Sequence, residues 1–260
     1  MPIRRSPVIA AQPRRMPGFV SLQYVDVDRL GGLAAPVLVL DDFRVREIPF
    51  SPHSHAGFAA VTYVLEDSLG GLRSRTSLGN DIVVGPGGIV WTQAGRGIIH
   101  EEAPADTDRE LHGLQIFVNL SSKNKVAQPQ VFQLDGSDVP EWRSDAGDRI
   151  RVVVGSFDGV VSPLVPPEAF FLLDVELRRE IPFALDDGHN ALIYVLRGQL
   201  VARADGADET VVGGHCLALH ASGESVTFKI GGEAHFVLLS GAEIREPVMA
   251  ASRTTSTRDR

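Results

Sequence analysis

Short runs of β-branched and aromatic residues recur along the whole chain, and this feature limits the possible folds most strongly. Each run is bounded by Gly, Pro, Asp or Asn, which is typical of strands joined by turns. The 26 glycines and 16 prolines follow no fixed repeat, and no long window shows helical periodicity. The pattern predicts an all-β protein. The runs are 37–40, 58–65, 82–84, 89–91, 114–120, 151–154, 170–177, 191–196, 217–220, 225–230 and 235–239.

The two halves of the chain resemble each other. Residues 62–66 read Thr-Tyr-Val-Leu-Glu and residues 193–197 read Ile-Tyr-Val-Leu-Arg, and a Gly-rich turn follows each segment. Two copies of one β barrel would explain this similarity; chance recurrence in a β-rich chain is the alternative. We expect an N-terminal barrel over 1–132, a C-terminal barrel over 133–250 and a disordered tail over 251–260.

Composition excludes several classes of protein. Cys216 is the only cysteine, so a disulfide framework is excluded. No apolar stretch reaches the roughly 18 residues of a membrane helix, so we expect no membrane association. The net charge of −8 argues against direct binding of nucleic acid through a basic surface. No apolar segment follows the N-terminal arginines as in a secretory signal, and we expect a cytoplasmic location.

Two pairs of residues with a spacing of two indicate a metal site. His53 and His55 precede a strand. His100 lies 45 residues after His55, and Glu102 follows His100 by two residues. Side chains two apart on a strand point to the same face, so each pair can reach one point. Three imidazoles and one carboxylate suit Fe, Mn, Ni, Cu or Zn and would leave open positions on a six-coordinate ion. The alternative is two pairs of ordinary exposed residues.

Other residues near this pattern have more than one interpretation. The glycines of the segment 92–97 would let a tight turn aim His100 inward, or would only close a hairpin. Phe58, Trp91 and Phe117 are candidate walls of a substrate pocket, although aromatic residues on barrel strands are more often core. The histidines of the second half lack the paired spacing, and we expect structural roles for them and no metal in the C-terminal barrel. They are His189, His215, His220 and His235.

The sequence around these pairs resembles the pirin family of the cupin superfamily. The segment 91–102, which reads Trp-Thr-Gln-Ala-Gly-Arg-Gly-Ile-Ile-His-Glu-Glu, is typical of that family rather than of cupins at large. Ala56 and Ala59 stand where the family usually has Arg and Glu. The other matching segments are 40–43, 53–58, 61–66, 77–80, 111–120, 189–191, 194–198 and 245–248.

The resemblance implies two tandem cupin barrels, a bicupin, with one mononuclear metal in the N-terminal barrel. Its ligands would be His53, His55, His100 and Glu102. Fe(II) is the expected ion, with Mn, Ni, Cu, Co or Zn as alternatives. Some relatives are quercetin 2,3-dioxygenases, which implies a flavonol-like substrate, O₂ as co-substrate and Glu102 as the catalytic base. Other relatives are regulators, which implies instead a non-catalytic protein that binds a transcription factor or a metabolic enzyme.

Overall fold

A computed structural model describes residues 2–244, Glu246 and the backbone of 251–254. Nearly all regular structure is β. The strands of the first half are β1 (Ile3–Arg5), β2 (Ile9–Ala10), β3 (Gln12–Pro13), β4 (Phe19–Tyr24), β5 (Val37–Val45), β6 (His53–Ala56), β7 (Phe58–Val64), β8 (Leu72–Thr76), β9 (Asp81–Val84), β10 (Ile89–Gln93), β11 (Ile98–Pro104), β12 (Leu111–Asn119) and β13 (Gln130–Leu134).

The second half continues in the same way. Its strands are β14 (Glu141–Arg143), β15 (Arg149–Val154), β16 (Ser156–Phe157), β17 (Val160–Val161), β18 (Phe170–Leu177), β19 (Ile181–Leu185), β20 (His189–Ala204), β21 (Ala207–Val212), β22 (His215–Ala221), β23 (Val226–Gly231), β24 (Ala234–Ala242) and β25 (Ala251–Thr254). One short helix, α1 (Ser122–Lys125), and 3₁₀ turns at Val27–Leu30 and Gly136–Asp138 complete the described elements.

The chain forms two compact units, each a β barrel, as the repeated pattern predicts. The N-terminal barrel comprises Pro13–Tyr24, Val39–Asp138, Glu246 and 251–254. The C-terminal barrel comprises 2–12, Val25–Leu38 and Val139–Ile244. These units differ from the predicted boundaries of 1–132 and 133–250 in where they place the first residues and the last described residues. Pairing of β1 and β2 with β22 joins the first residues to the C-terminal barrel, and local sequence gives no sign of such long-range pairing.

The N-terminal barrel is built from two sheets. Seven strands follow the order β13-β10-β7-β12-β5-β4-β3, and five follow the order β25-β6-β11-β8-β9. Every residue of β7 is buried, which explains why its sequence is a continuous apolar run rather than an alternating one. Apolar side chains such as Phe43, Leu72 and Leu111 pack between the two sheets.

In the C-terminal barrel, the long strand β20 pairs with different neighbours along its length. Its first part pairs with β22 and β24, and its second part pairs with β21 and β23. Strand β19 pairs with β23 and buries Ile181, Phe183 and Leu185. Phe228 and Ile230 of β23 join them in the apolar core of this barrel.

The two barrels share one pairing scheme, which explains the sequence repeat. Tyr63 lies on β7 between β10 and β12, and Tyr194 lies on β20 between β22 and β24. Both tyrosines are buried. The similar segments therefore occupy the same central strand of two copies of one barrel.

The structure corrects part of the predicted disordered tail. The backbone of Ala251–Thr254 forms β25, which pairs antiparallel with β6 from Ala251 opposite Ala56 to Thr254 opposite His53. A strand of this kind is held by main-chain hydrogen bonds to a sheet edge, so a polar sequence can form it without an apolar pattern. Residues 255–260 lie outside the described residues.

A tight turn before β11 depends on one glycine. Gly95 has a φ of +51°, and a Cβ there would lie 2.4 Å from the carbonyl oxygen of Ala127. The carbonyl of Gly95 also accepts a hydrogen bond of 2.8 Å from the amide of Gly57. Gly95 is thus needed for a close backbone approach, and its hydrogen bond with Gly57 holds the start of β11 near the end of β6.

Gly95→Ala should destabilise the protein more than Gly79→Ala, the matched control. Both positions have positive φ, but a Cβ at Gly79 meets nothing within 4 Å. The clash at Gly95 should add about 1–3 kcal/mol of overpacking, or roughly 2–10 °C in Tm. Thermal denaturation followed by circular dichroism measures the difference. Equal Tm shifts in the two variants would show that the close approach to Ala127 is unimportant.

Candidate metal centre

Two neighbouring strands bring three of the four predicted ligands together. Strands β6 and β11 pair antiparallel with His53 opposite His100 and His55 opposite Ile98. One potential ligand atom from each of His53, His55 and His100 lies within 4.8 Å of the others. The three ring centroids are 4.6–4.7 Å apart. The spacing of two thus brings the three histidines to one side of this sheet.

Hydrogen bonding orients one of the three imidazoles. His53 Nδ1 lies 3.0 Å from the carbonyl oxygen of Ser51, which accepts its proton and leaves the Nε2 lone pair free. That Nε2 lies 3.2 Å from Nε2 of His100. Two ring nitrogens facing each other at this distance fit a shared cation well, because each can direct a lone pair toward it.

Unsatisfied buried atoms also fit a metal. Nδ1 of His55, Nδ1 of His100 and Oε1 of Glu102 are buried, and none has a hydrogen-bond partner among the described residues. Buried polar atoms are rarely left without partners, so such a concentration needs an explanation. An ion could satisfy Oε1 of Glu102 and Nδ1 of His55, whereas Nδ1 of His100 lies on the far side of the ring from the Nε2 that faces His53.

Burial keeps the imidazoles of His55 and His100 neutral. It lowers the pKa of His55 to about 4, with a further contribution from His53. Burial also lowers the pKa of His100 to about 3, helped by the nearby imidazoles of His55 and His53. A metal binds the unprotonated ring nitrogen, so neither side chain has to lose a proton at neutral pH to become a ligand.

Glu102, the fourth predicted ligand, lies beside the histidine cluster rather than in it. It follows His100 by two residues on β11, but its carboxylate is not among the atoms that lie within 4.8 Å of one another. Oε2 accepts a 2.6 Å hydrogen bond from Oγ1 of Thr62. Burial raises the pKa of Glu102 to about 7, although the hydrogen bond from Thr62 opposes this shift. Glu102 can therefore exchange a proton near neutral pH.

A cavity of about 100 Å³ adjoins Glu102, and its walls are mainly apolar. Phe19, Phe43 and Phe50 are its aromatic walls, and the ring of Phe50 also contacts that of His53 at 5.9 Å. Asp41 supplies a second carboxyl group to the lining, and burial raises its pKa to about 6 against the opposing charge of Arg14. An apolar cavity thus lies beside an ionisable group, Glu102, that is close to the histidines.

The three aromatic residues that the sequence predicts as pocket walls do not line this cavity. Phe58 and Phe117 pack on the ring of His55 at 5.0 and 5.5 Å, so they support the histidine cluster instead of lining the cavity. Trp91 is fully buried in the core.

Sequence reasoning missed Thr62 and Phe50. A polar Thr inside the apolar run of β7 was the available signal for Thr62.

The C-terminal barrel has no comparable donor set on the corresponding strands. Where β6 and β11 carry histidines, the pair β19 and β23 buries Phe183, Leu185 and Phe228, which offer no ligand atom. His220 Nδ1 bonds the amide oxygen of Asn190 at 2.8 Å, and His235 Nε2 bonds Asp174 at 2.6 Å. These two histidines have the structural roles that the sequence predicts.

No helix among the described residues is long and apolar enough to cross a membrane.

The fold and the histidine cluster together define a class, the two-barrel cupin proteins with a candidate metal centre in one barrel. Comparison with known families agrees with this class. The profile described as Pirin matches residues 4–118, and the one described as Pirin C-terminal cupin domain matches residues 172–252. The chain belongs to the pirin family.

Relatives in bacteria, plants and animals support this assignment. The chain is 32% identical over 218 residues to a pirin-like protein of Solanum lycopersicum, covering 82% of this chain and 73% of the relative. It is 31% identical over 185 residues to a Pseudomonas aeruginosa protein provisionally named a quercetin 2,3-dioxygenase, covering 68% and 64%. It is 32% identical over 168 residues to human pirin, covering 63% and 57%. The chain thus spans less than two thirds of the length of the last two.

Solved structures share the fold along nearly the whole chain. A Geobacillus kaustophilus protein superimposes with a TM-score of 0.82 at 28% identity, covering 95% of this chain and 98% of that one. A quercetin 2,3-dioxygenase of Acinetobacter baumannii gives 0.80 at 22% identity, covering 94% and 88%. A bacterial pirin of Escherichia coli in complex with nickel(II) gives 0.67 at 19% identity, covering 93% and 99%.

Replacing any one histidine of the cluster with Ala should lower metal affinity by about 10–100-fold or more, because one of few ligands is lost. His215→Ala is the control, since His215 lies on β22 of the C-terminal barrel with its Nδ1 on the carbonyl of Gly213. Metal content after loading and desalting, measured by mass spectrometry, gives the comparison. Equal metal content in the His100→Ala and His215→Ala variants would contradict the site.

Proposed function

We propose that the N-terminal barrel binds one divalent transition metal, with Fe(II) the first candidate, through His53, His55, His100 and Glu102. Glu102 would join the three histidines by rotation of its side chain, for which its unpartnered Oε1 is available. The convergence of the three imidazoles supports the same proposal. The metal found in the Escherichia coli pirin structure is nickel, and the donor set here also accepts Mn, Co, Cu or Zn.

We further propose that the protein is a dioxygenase of the quercetin 2,3-dioxygenase type, acting on a flavonol-like ring with O₂. The observation that carries this proposal is the position of Glu102, whose carboxyl group lies between the histidine cluster and an apolar cavity. The name of the Pseudomonas aeruginosa relative is consistent with it.

The residues of the chain divide the work of such a reaction. When bound, the metal would stabilise the negative charge of a substrate oxygen and orient the substrate toward O₂. Glu102 would accept the proton of the flavonol 3-hydroxyl, because its carboxyl group lines the apolar cavity beside the histidines. The hydroxyl of Thr62 would hold the carboxylate in place. Phe19, Phe43 and Phe50 would pack against the planar ring and exclude water.

A second candidate function is a regulatory protein that binds a macromolecular partner according to the state of its metal. The alternation of side chains along β11 favours it. His100 and Glu102 point toward the interior, whereas Ile99 and Glu101 lie on the opposite face, and half of the Ile99 surface is exposed. One strand therefore connects the candidate metal centre to an outer surface that a partner could contact.

Glu102→Gln should lower kcat for quercetin by at least about 100-fold, the usual contribution of a general base, while the three histidines retain part of the metal. Glu101→Gln is the matched control, because its side chain lies on the outer face of the same strand and bonds Arg75. The assay is aerobic turnover by iron-loaded protein, followed by flavonol absorbance and carbon monoxide release. Unchanged turnover in Glu102→Gln would remove Glu102 from the mechanism. Absence of turnover by the wild type with every metal would instead favour the regulatory function.

A further inference from the structure

The C-terminal barrel contains a second and larger cavity, of about 690 Å³, which the proposed dioxygenase function does not use. Leu173 of β18 and Leu238 of β24 are cross-strand partners, belong to the apolar core and form its floor. Phe171 and Ser240 are the next pair on the same face of these strands. The cavity is therefore the mouth of the barrel, where the inner face of the sheet meets solvent.

The same positions in the N-terminal barrel are filled by aromatic rings. When Tyr194 is aligned with Tyr63, His189 corresponds to Phe58. The strand register gives the second correspondence, because Phe117 pairs with Ala60 and Ser240 pairs with Ala191. Phe58 and Phe117 pack on each other at 4.6 Å. Their replacement by the smaller His189 and Ser240 accounts for an open space in one barrel where the other is closed.

Two hydrogen-bonding groups lie at the inner side of this space. Ser240 is only 9% exposed, and it lines the cavity. Nδ1 of His189 bonds the carbonyl of Asp187 at 3.2 Å, which leaves Nε2 for another partner. A ligand with a polar group could bond the hydroxyl of Ser240 and Nε2 of His189 in place of water.

Aromatic rings form the walls. Phe157 contacts Phe183 and Trp142, with ring centroids 5.4 Å apart in both pairs. Phe171 completes the aromatic lining. The indole Nε1–H of Trp142 donates to Asp158 at 2.8 Å, which fixes this ring at the edge of the cavity. Flat apolar walls of this kind favour a planar ring as ligand.

The charges at the rim disfavour anions. Arg179 donates from Nε to the buried carboxylate of Asp148 at 2.7 Å, and this ion pair offsets its positive charge. Asp158 and Asp186 also line the rim, and no cationic side chain among the described residues forms an ion pair with either. A carboxylate ligand would therefore meet uncompensated negative charge.

We propose that the C-terminal barrel binds a small aromatic compound that carries a hydroxyl or amino group and no net negative charge. The ring lies between Phe171, Phe183 and Phe157. The polar group of the compound bonds Ser240 and His189. This site needs no metal and is separate from the chemistry proposed for the N-terminal barrel.

Tyramine is a suitable probe because it combines a phenol ring with a cationic amine, and 4-hydroxyphenylacetate is its anionic counterpart. Tyramine should bind the full-length, metal-loaded protein saturably and change the fluorescence of Trp142. Trp91 is fully buried in the N-terminal barrel and provides a constant background. Binding of 4-hydroxyphenylacetate should be at least about tenfold weaker, owing to the charge at the rim. Calorimetry gives both dissociation constants without relying on fluorescence.

Ser240→Phe restores the residue type of the N-terminal barrel at this position and should weaken tyramine binding by about 30-fold or more. Ser240→Ala removes only the hydroxyl and should weaken it by about three- to tenfold, which keeps the test valid if the larger residue impairs folding. Thr227→Phe is the control, because it adds the same ring at an exposed position of β23 in the same barrel. Failure of tyramine to bind at millimolar concentration, or equal binding by Ser240→Ala, Ser240→Phe and Thr227→Phe, would overturn the proposal.

Discussion

The antiparallel pairing of β6 with β11 is the constraint on which the candidate metal centre depends. His53 stands directly opposite His100, and His55 is two residues further along the same face. A shift of this register by one residue would turn either pair away from the other, because the side-chain period of a strand is two. Gly95 restrains the chain immediately before β11, and its close approach to Ala127 leaves little freedom for such a shift.

Burial then determines the chemistry that this geometry allows. The same loss of solvent that lowers the pKa of His55 and His100 raises that of Glu102, so all three favour their uncharged forms. A divalent cation would compensate this loss, since it interacts with neutral imidazoles and stabilises a buried carboxylate. The hydrogen bond from Thr62 already favours the ionised form of Glu102 in part. The site is thus suited to a cation.

The parts of the structure that depend on local periodicity could be predicted from the sequence. The spacing of two predicted the convergence of His53, His55 and His100, and the repeated central strand predicted two barrels. The parts that depend on distant pairing could not be predicted in this way. The addition of β1 to β22 and of β25 to β6 leaves no local pattern. Phe58 and Phe117 are of a residue type that often lines pockets. Only their position against the ring of His55 shows that they support the histidine cluster.

The two barrels show how one scaffold serves different ends through few substitutions. Histidines on β6 and β11 form a candidate metal centre in one, while Phe183 and Phe228 form part of an apolar core in the other. Metal binding in the first barrel depends most of all on the proposed donor set. X-ray absorption spectroscopy of the Zn(II)-loaded protein tests it most directly, and should show three imidazole nitrogens and one carboxylate oxygen at about 2.0–2.2 Å. A first shell with fewer than three imidazoles would contradict the account.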